Sequence, residues 1–137
     1  MAALFAYGTL MAPQLFESIA GIAMESQPAR LQGFRRYAFD GERFPGIISS
    51  SDGDHVIGLV ISNIGDEVWQ RLDDYESDMY SRKVVNITKQ DGDSDTAETY
   101  VVKPAYHHLL ADHDWDFEHF LQFDLNRYLL RFGDNSF

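Results

Sequence analysis

The centre of this chain is built from strand-like runs coupled in pairs across short polar turns. Residues 82–89 and 98–103 flank Gln90-Asp91-Gly92-Asp93-Ser94-Asp95, an acidic, glycine-containing connector between β-branched segments that reads as a hairpin. Upstream, Pro45-Gly46-Ile47-Ile48 runs through Ser51-Asp52-Gly53-Asp54 into residues 56–61, the strongest strand signal in the chain. That pattern predicts a second hairpin.

Other elements gather around this centre. Residues 2–7 form a short apolar run that stops at Gly8, as a buried strand does on entering a loop. Phe34, Tyr37 and Phe39 mark a further strand over 31–39. Pro13 suits the first position of a short helix that Gly21 ends. Gly65-Asp66 opens a second helix, with Val68, Leu72 and Tyr75 at i, i+4 and i+7 and acidic residues in its first turn, ending near Glu76–Ser77. Phe117, Leu121, Leu125, Tyr128 and Phe132 mark one C-terminal helix over 117–132. Phe120, Phe123, Leu129 and Leu130 widen its apolar stripe, which calls for cover from the domain or a partner subunit and leaves monomer and homodimer both open. The expected class is α+β, a small mixed barrel or strongly curled sheet flanked by a few helices. No linker, repeat or low-complexity tract divides the 137 residues, so one domain is expected over 1–137.

Composition narrows the function. Lys plus Arg number 11 against 22 Asp plus Glu, a net charge of −11 that repels a phosphate backbone and argues against nucleic acid. With no cysteine, disulfides, thiolate catalysis, zinc ribbons and iron–sulfur ligation drop out together. The first seven residues lack a basic start and a long apolar run, so a cytoplasmic protein without a membrane span is expected. Asn86-Ile87-Thr88 matches a glycosylation sequon that this context makes a chance match.

Two segments are candidates for chemistry. A strand ending in Tyr7-Gly8-Thr9-Leu10 can turn successive backbone N–H groups into one concavity suited to a carboxylate or phosphate, although a turn glycine explains the tetrapeptide alone at least as well. Glu76 lies four residues after Leu72, on the same helix face. The helix C-terminus, the like charges of Asp73, Asp74 and Asp78, and burial beside Tyr75 would each raise its pKa, as a general base that must return its proton requires. An ordinary acidic helix end on a solvated surface is an equally good reading of the same residues.

Metal sites are poorly supported. Asp91-Gly92-Asp93-Ser94-Asp95 starts like a calcium loop but has Thr96 and Val102 where the glycine and the bidentate glutamate belong. His107, His108, His113 and His119, with the acidic residues between them, lack a spacing that puts two ligands on one helix face. No metal or organic cofactor is expected.

Taken in order, Tyr7-Gly8-Thr9-Leu10, Gly33-Phe34-Arg35-Arg36-Tyr37, Pro45-Gly46-Ile47, Gly58-Leu59-Val60 and Leu72-Asp73-Asp74-Tyr75-Glu76 with Tyr80 and Arg82 resemble the γ-glutamylcyclotransferase-like family, in its AIG2-like branch. The resemblance runs over about 4–103. It implies a small mixed barrel with a pocket at the Tyr7–Leu10 loop, and it maps the family's single acidic catalytic residue onto Glu76. Tyr7, Gly8, Thr9 and Leu10 map onto its substrate-binding motif, with Tyr80 and Arg82 as weaker candidates; Arg82 equally suits neutralising the acidic helix end. Arg35 and Arg36 alternate on a strand, so at most one would face the pocket.

The implied substrate is a small γ-glutamyl amine or peptide, whose own α-amine attacks its γ-carbonyl to give 5-oxoproline and a free amine. No protein nucleophile is needed, which agrees with the missing cysteines. The alternative is a binding module for a small molecule or protein that keeps the pocket without turnover. Nothing in the sequence names the amine; residues 41–45 or 106–116 are candidates for setting it.

Overall fold

A computed structural model describes residues 2–51 and 53–132. Met1 and Asp52 of the sequence reading therefore lie outside the described residues. Seven strands and four helices follow one another as β1 (Ala2–Ala6), α1 (Pro13–Ala20), β2 (Gln27–Gln32), β3 (Phe34–Ala38), β4 (Pro45–Ser49), β5 (His55–Ile64), α2 (Asp66–Glu76), β6 (Tyr80–Lys89), β7 (Ser94–Val102), α3 (Phe117–Phe123) and α4 (Leu125–Phe132). Short 3-10 segments cover Thr9–Met11 and Pro104–Leu109.

Five strands close a barrel in the order β1-β5-β2-β6-β7, while β3 and β4 form a separate two-stranded sheet. The barrel is mixed: β1 meets β7 in parallel at Leu4–Glu98, and the other neighbours are antiparallel. This is the expected α+β barrel. Side chains from all five barrel strands, among them Phe5, Leu31, Val56, Val60, Ile87 and Val101, pack into one buried cluster that fills its interior. The alternate residues Leu4 and Ala6 of β1 face the other way, into a second cluster with Phe16 of α1 and Leu72 of α2. β1 is thus buried on both faces, as its unbroken apolar run requires.

The hairpin over 82–89 and 98–103 is present as β6 and β7, in register from Tyr80–Val102 to Thr88–Ser94. The other predicted hairpin is not. β4 pairs with β3, and β5 pairs with β1 and β2. The single strand expected over 31–39 is also two strands, divided at Gly33, whose φ of +83° is the left-handed conformation that glycine adopts without strain. Gly33 donates its N–H to Asp54 O and accepts from Ser50 N–H. Ser50 and Asp54 thus both bond to Gly33, which sits between the β2–β5 and β3–β4 pairs, and the chain reverses instead between Phe39 and Phe44, where Phe39 N–H meets Phe44 O.

The helices over Pro13–Ala20 and Asp66–Glu76 match expectation. The C-terminal helix does not run unbroken over 117–132: it divides at Asp124 into α3 and α4. Asp124 is buried and its carboxylate takes a 2.6 Å bond from Arg43. The break lets Phe120 and Leu125 enter the same cluster as Ala12 and Leu15, with Tyr128 and Phe132 packed against it. Most of the apolar stripe is thereby covered within the chain, while Phe123 and Leu130 stay exposed.

Candidate active site

Where β1 leaves the barrel, Gly8 turns the chain into the 3-10 segment Thr9–Met11. Pro45 crowds this turn so closely that a Cβ on Gly8 would sit 2.8 Å from its ring. The turn is also held from behind, because Arg36 donates to Tyr7 O at 2.8 Å while its Nε pairs with Asp114. Among the described residues no protein group accepts from the backbone N–H groups of Gly8, Thr9 and Leu10.

A cavity of about 170 Å³ opens beside this loop. That is small beside the roughly 300–1,000 Å³ of sites for drug-sized ligands, and it suits one compact polar group. Tyr7, Gly8, Thr9 and Leu10 line it together with Tyr75 and Glu76 from the end of α2, Tyr80 from β6 and Tyr100 from β7. Phe44 and Pro45 supply one wall, and Tyr128, Arg131 and Phe132 of α4 another.

Glu76 reaches this cavity because α2 ends there. Ser77 takes a φ of +75°, uncommon for a non-glycine residue, and stops the helix on an N–H bond to Asp73 O. The Glu76 carboxyl has no hydrogen-bond or ion-pair partner among the described residues. Burial, and second the negative charge of Asp73, push its pKa from 4.5 up to about 8. Of the like charges expected to act on Glu76, Asp73 is the one that does.

Four tyrosines frame the carboxyl, and each hydroxyl has a partner. Tyr7 donates to Tyr100 O at 2.7 Å, Tyr80 to Pro45 O at 2.7 Å, and Tyr100 to Asp73 at 2.6 Å. Tyr75 shares a 2.6 Å bond with the Thr9 hydroxyl, tying the end of α2 to the loop. Burial raises the pKa of all four, with Glu76 adding to each, so they stay neutral near physiological pH.

Arg82 does not line the cavity. It pairs with Asp73 at 3.2 Å and Glu98 at 3.3 Å and lies over the Trp69 ring, a bracing position outside the pocket. Neither Arg35, stacked on Tyr37, nor Arg36 faces the cavity. Of the two stretches considered for specificity, 41–45 contributes Phe44 and Pro45, while 106–116 contributes nothing to the wall. The sequence reading missed Tyr128, Arg131 and Phe132 as cavity residues. Their i, i+3, i+4 spacing was legible as a helix face, but not which cavity that face covers.

A closed mixed barrel whose small cavity brings a half-buried carboxyl, without a partner among the described residues, to the same wall as a glycine loop defines a compact pocket protein. The chain belongs to the γ-glutamyl cyclotransferase, AIG2-like family, whose model matches residues 4–117. It is 33% identical over 122 residues to AIG2-like protein C of Arabidopsis thaliana, covering 88% of this chain and 70% of the relative. Protein AIG2 C of the same plant is 32% identical over 116 residues, 83% of this chain and 68% of the relative. Among solved structures, the solution structure of an Arabidopsis thaliana protein superposes with a TM-score of 0.73 at 27% identity, covering 96% of this chain and 79% of that one. A γ-glutamyl cyclotransferase structure shares the fold, with a TM-score of 0.64 at 24% identity over 74% of this chain and 66% of its own.

Proposed function

We propose that this protein converts a γ-glutamyl amine or short γ-glutamyl peptide into 5-oxoproline and the free amine. The observation that carries the reading is the Glu76 carboxyl, raised to about 8 and without a partner among the described residues, in one cavity with the Tyr7–Leu10 loop.

Glu76 takes a proton from the substrate's α-ammonium group. The freed amine attacks the γ-carbonyl carbon, forming the ring C–N bond and moving the carbonyl electrons onto oxygen. As that oxyanion collapses, the bond to the leaving nitrogen breaks and Glu76 returns its proton there; the second proton on the ring nitrogen passes to the freed amine, which departs as an ammonium ion, so protons and charge balance over the cycle. A well-oriented intramolecular attack carries an effective molarity of ~10⁵ M or more, which leaves the protein to fold the substrate and move protons. The N–H groups of Gly8, Thr9 and Leu10, without an acceptor among the described residues, are suited to the substrate's α-carboxylate or the developing oxyanion. Tyr7 and Tyr80 shape the wall, their hydroxyls being committed to backbone carbonyls.

The test is mass-spectrometric detection of 5-oxoproline from a panel of γ-glutamyl amines and dipeptides, with Glu76→Gln beside the parent. Product from the parent and at least a hundredfold less from Glu76→Gln is expected, in line with the usual contribution of a positioned acid–base group, roughly 10²–10⁴-fold. Product from neither leaves the pocket a binding site without turnover, and equal rates from both remove Glu76 from the chemistry.

A further inference from the structure

Glu76 and Arg131 are the two charged residues in the described wall of the cavity, and they differ in placement. Glu76 is half-buried at the end of α2, whereas Arg131 is exposed at the rim, on the last turn of α4. Arg131 has no ion-pair partner among the described residues, and its guanidinium rests 5.0 Å from the centre of the Phe132 ring. Three residues earlier on the same helix, Tyr128 also lines the cavity. Its hydroxyl has no partner among the described residues, in contrast to the four other tyrosines in the wall. An i, i+3 pair shares one helix face, so a guanidinium and a phenol stand together over the cavity mouth with their hydrogen-bonding groups uncommitted.

In a chain of charge −11, Arg131 is the one cation in the described wall of this cavity, and its chemistry is specific: a guanidinium takes a carboxylate through two parallel N–H···O bonds. The loop amides and Glu76 lie at the inner end and suit the γ-glutamyl half of a substrate. The rim faces what is attached to it. We infer that Arg131, helped by the Tyr128 hydroxyl, is a specificity residue that holds a carboxylate on the amine side of the substrate, so that amines bearing an acidic group are favoured over neutral ones. This rests on the cyclotransferase reading for the identity of the inner group, but the anion preference of the rim is a property of binding and can be measured without turnover.

The matched probes are γ-glutamylglycine and γ-glutamyl methylamide, which differ in one carboxylate on the amine side. Their affinities are to be measured by calorimetry on Glu76→Gln protein, where turnover does not interfere, with and without Arg131→Gln, Arg131→Lys or Tyr128→Phe. The expected result is a preference for γ-glutamylglycine of about tenfold, the low end for a charge-assisted bond at an exposed site. Arg131→Gln should remove that preference, Arg131→Lys should keep part of it, and Tyr128→Phe should reduce it. Because both ligands are read on the same protein, a loss of folded fraction cancels from the ratio. A ratio near one in the parent, a ratio untouched by Arg131→Gln, or no measurable binding of γ-glutamylglycine overturns the inference. A normal ratio without 5-oxoproline from the Glu76 protein overturns the cyclotransferase reading alone.

Discussion

At the scale of single residues the decisive quantity is the free energy of charging Glu76. Its carboxyl titrates at about 8 in the folded protein against an ordinary 4.5, so the fold resists the charged form. The stability this confers is complete below about pH 4.5, falls as the pH rises toward 8 and is flat beyond. Glu76→Gln cannot ionise and is expected to exceed the parent in stability by on the order of 2–3 kcal/mol at pH 7, with the gap closing at pH 4. Thermal unfolding of both proteins at pH 4, 7 and 9 measures it, and a gap independent of pH would show that Glu76 is not held neutral. For catalysis the sign is opposite, since the base must be charged: kcat/KM is expected to climb with pH to a plateau above about 8. Asp73 supplies part of the shift and Arg82 neutralises Asp73. Asp73→Asn should therefore move that limb to lower pH and Arg82→Gln to higher pH; movement in the same direction would place the cause elsewhere.

Secondary elements decide whether the residues meet. The bond between Tyr75 and Thr9 joins the end of α2 to the loop, and the Tyr75 ring packs edge-on against Phe132 of α4 at 4.9 Å. Tyr75→Phe keeps the ring contact and removes the bond. It is expected to cost about 1 kcal/mol of stability, while kcat/KM falls further because Glu76 and the loop lose their mutual register. Urea unfolding and steady-state kinetics on the same preparation separate the two effects. The break between α3 and α4 depends on Asp124, which accepts from Arg43 and from the end of α3 sends its own N–H to Phe120 O. Asp124→Ala removes that buried acceptor and should cost about 1–3 kcal/mol in urea unfolding. An unchanged midpoint would mean that packing of Phe120 and Leu125 sets the break unaided.

Over the whole molecule, the barrel closes at its weakest seam. β1 and β7 share a single residue pairing, Leu4 with Glu98, and side chains reinforce it. The fully buried Thr99 hydroxyl donates to Phe5 O at 2.8 Å, and the Tyr7 hydroxyl to Tyr100 O. Tyr7 thus belongs both to the closure of the barrel and to the wall of the cavity. Thr99→Val keeps the shape of the side chain and loses its donor, so a loss of about 1–3 kcal/mol is expected. If the urea midpoint does not move, backbone pairing alone closes the barrel.

Local order was written in the chain. Pro13, Gly21, Gly65 and the acidic first turn of α2 act within a few residues, and so they fixed two helices to their ends. The turn at Gly92 likewise carried β6 into β7. The order of Tyr7–Leu10 and Glu76 pointed through family resemblance to one site. What the sequence could not decide was partner choice between distant segments. The turn signal that follows β4 does not say whether the chain reverses into a hairpin or passes on to another partner; that depends on what lies opposite, here Gly33 with β2 and β3 on either side. Periodicity over 117–132 showed an apolar face, but not that Arg43, from another part of the chain, would meet a buried Asp124 where the helix divides. Burial of Glu76, the engagement of Arg82 outside the pocket and the arrival of Arg131 at its rim have the same origin. Each follows from closure of the barrel and packing of α4 across it, long-range contacts whose free energy is absent until the segments meet.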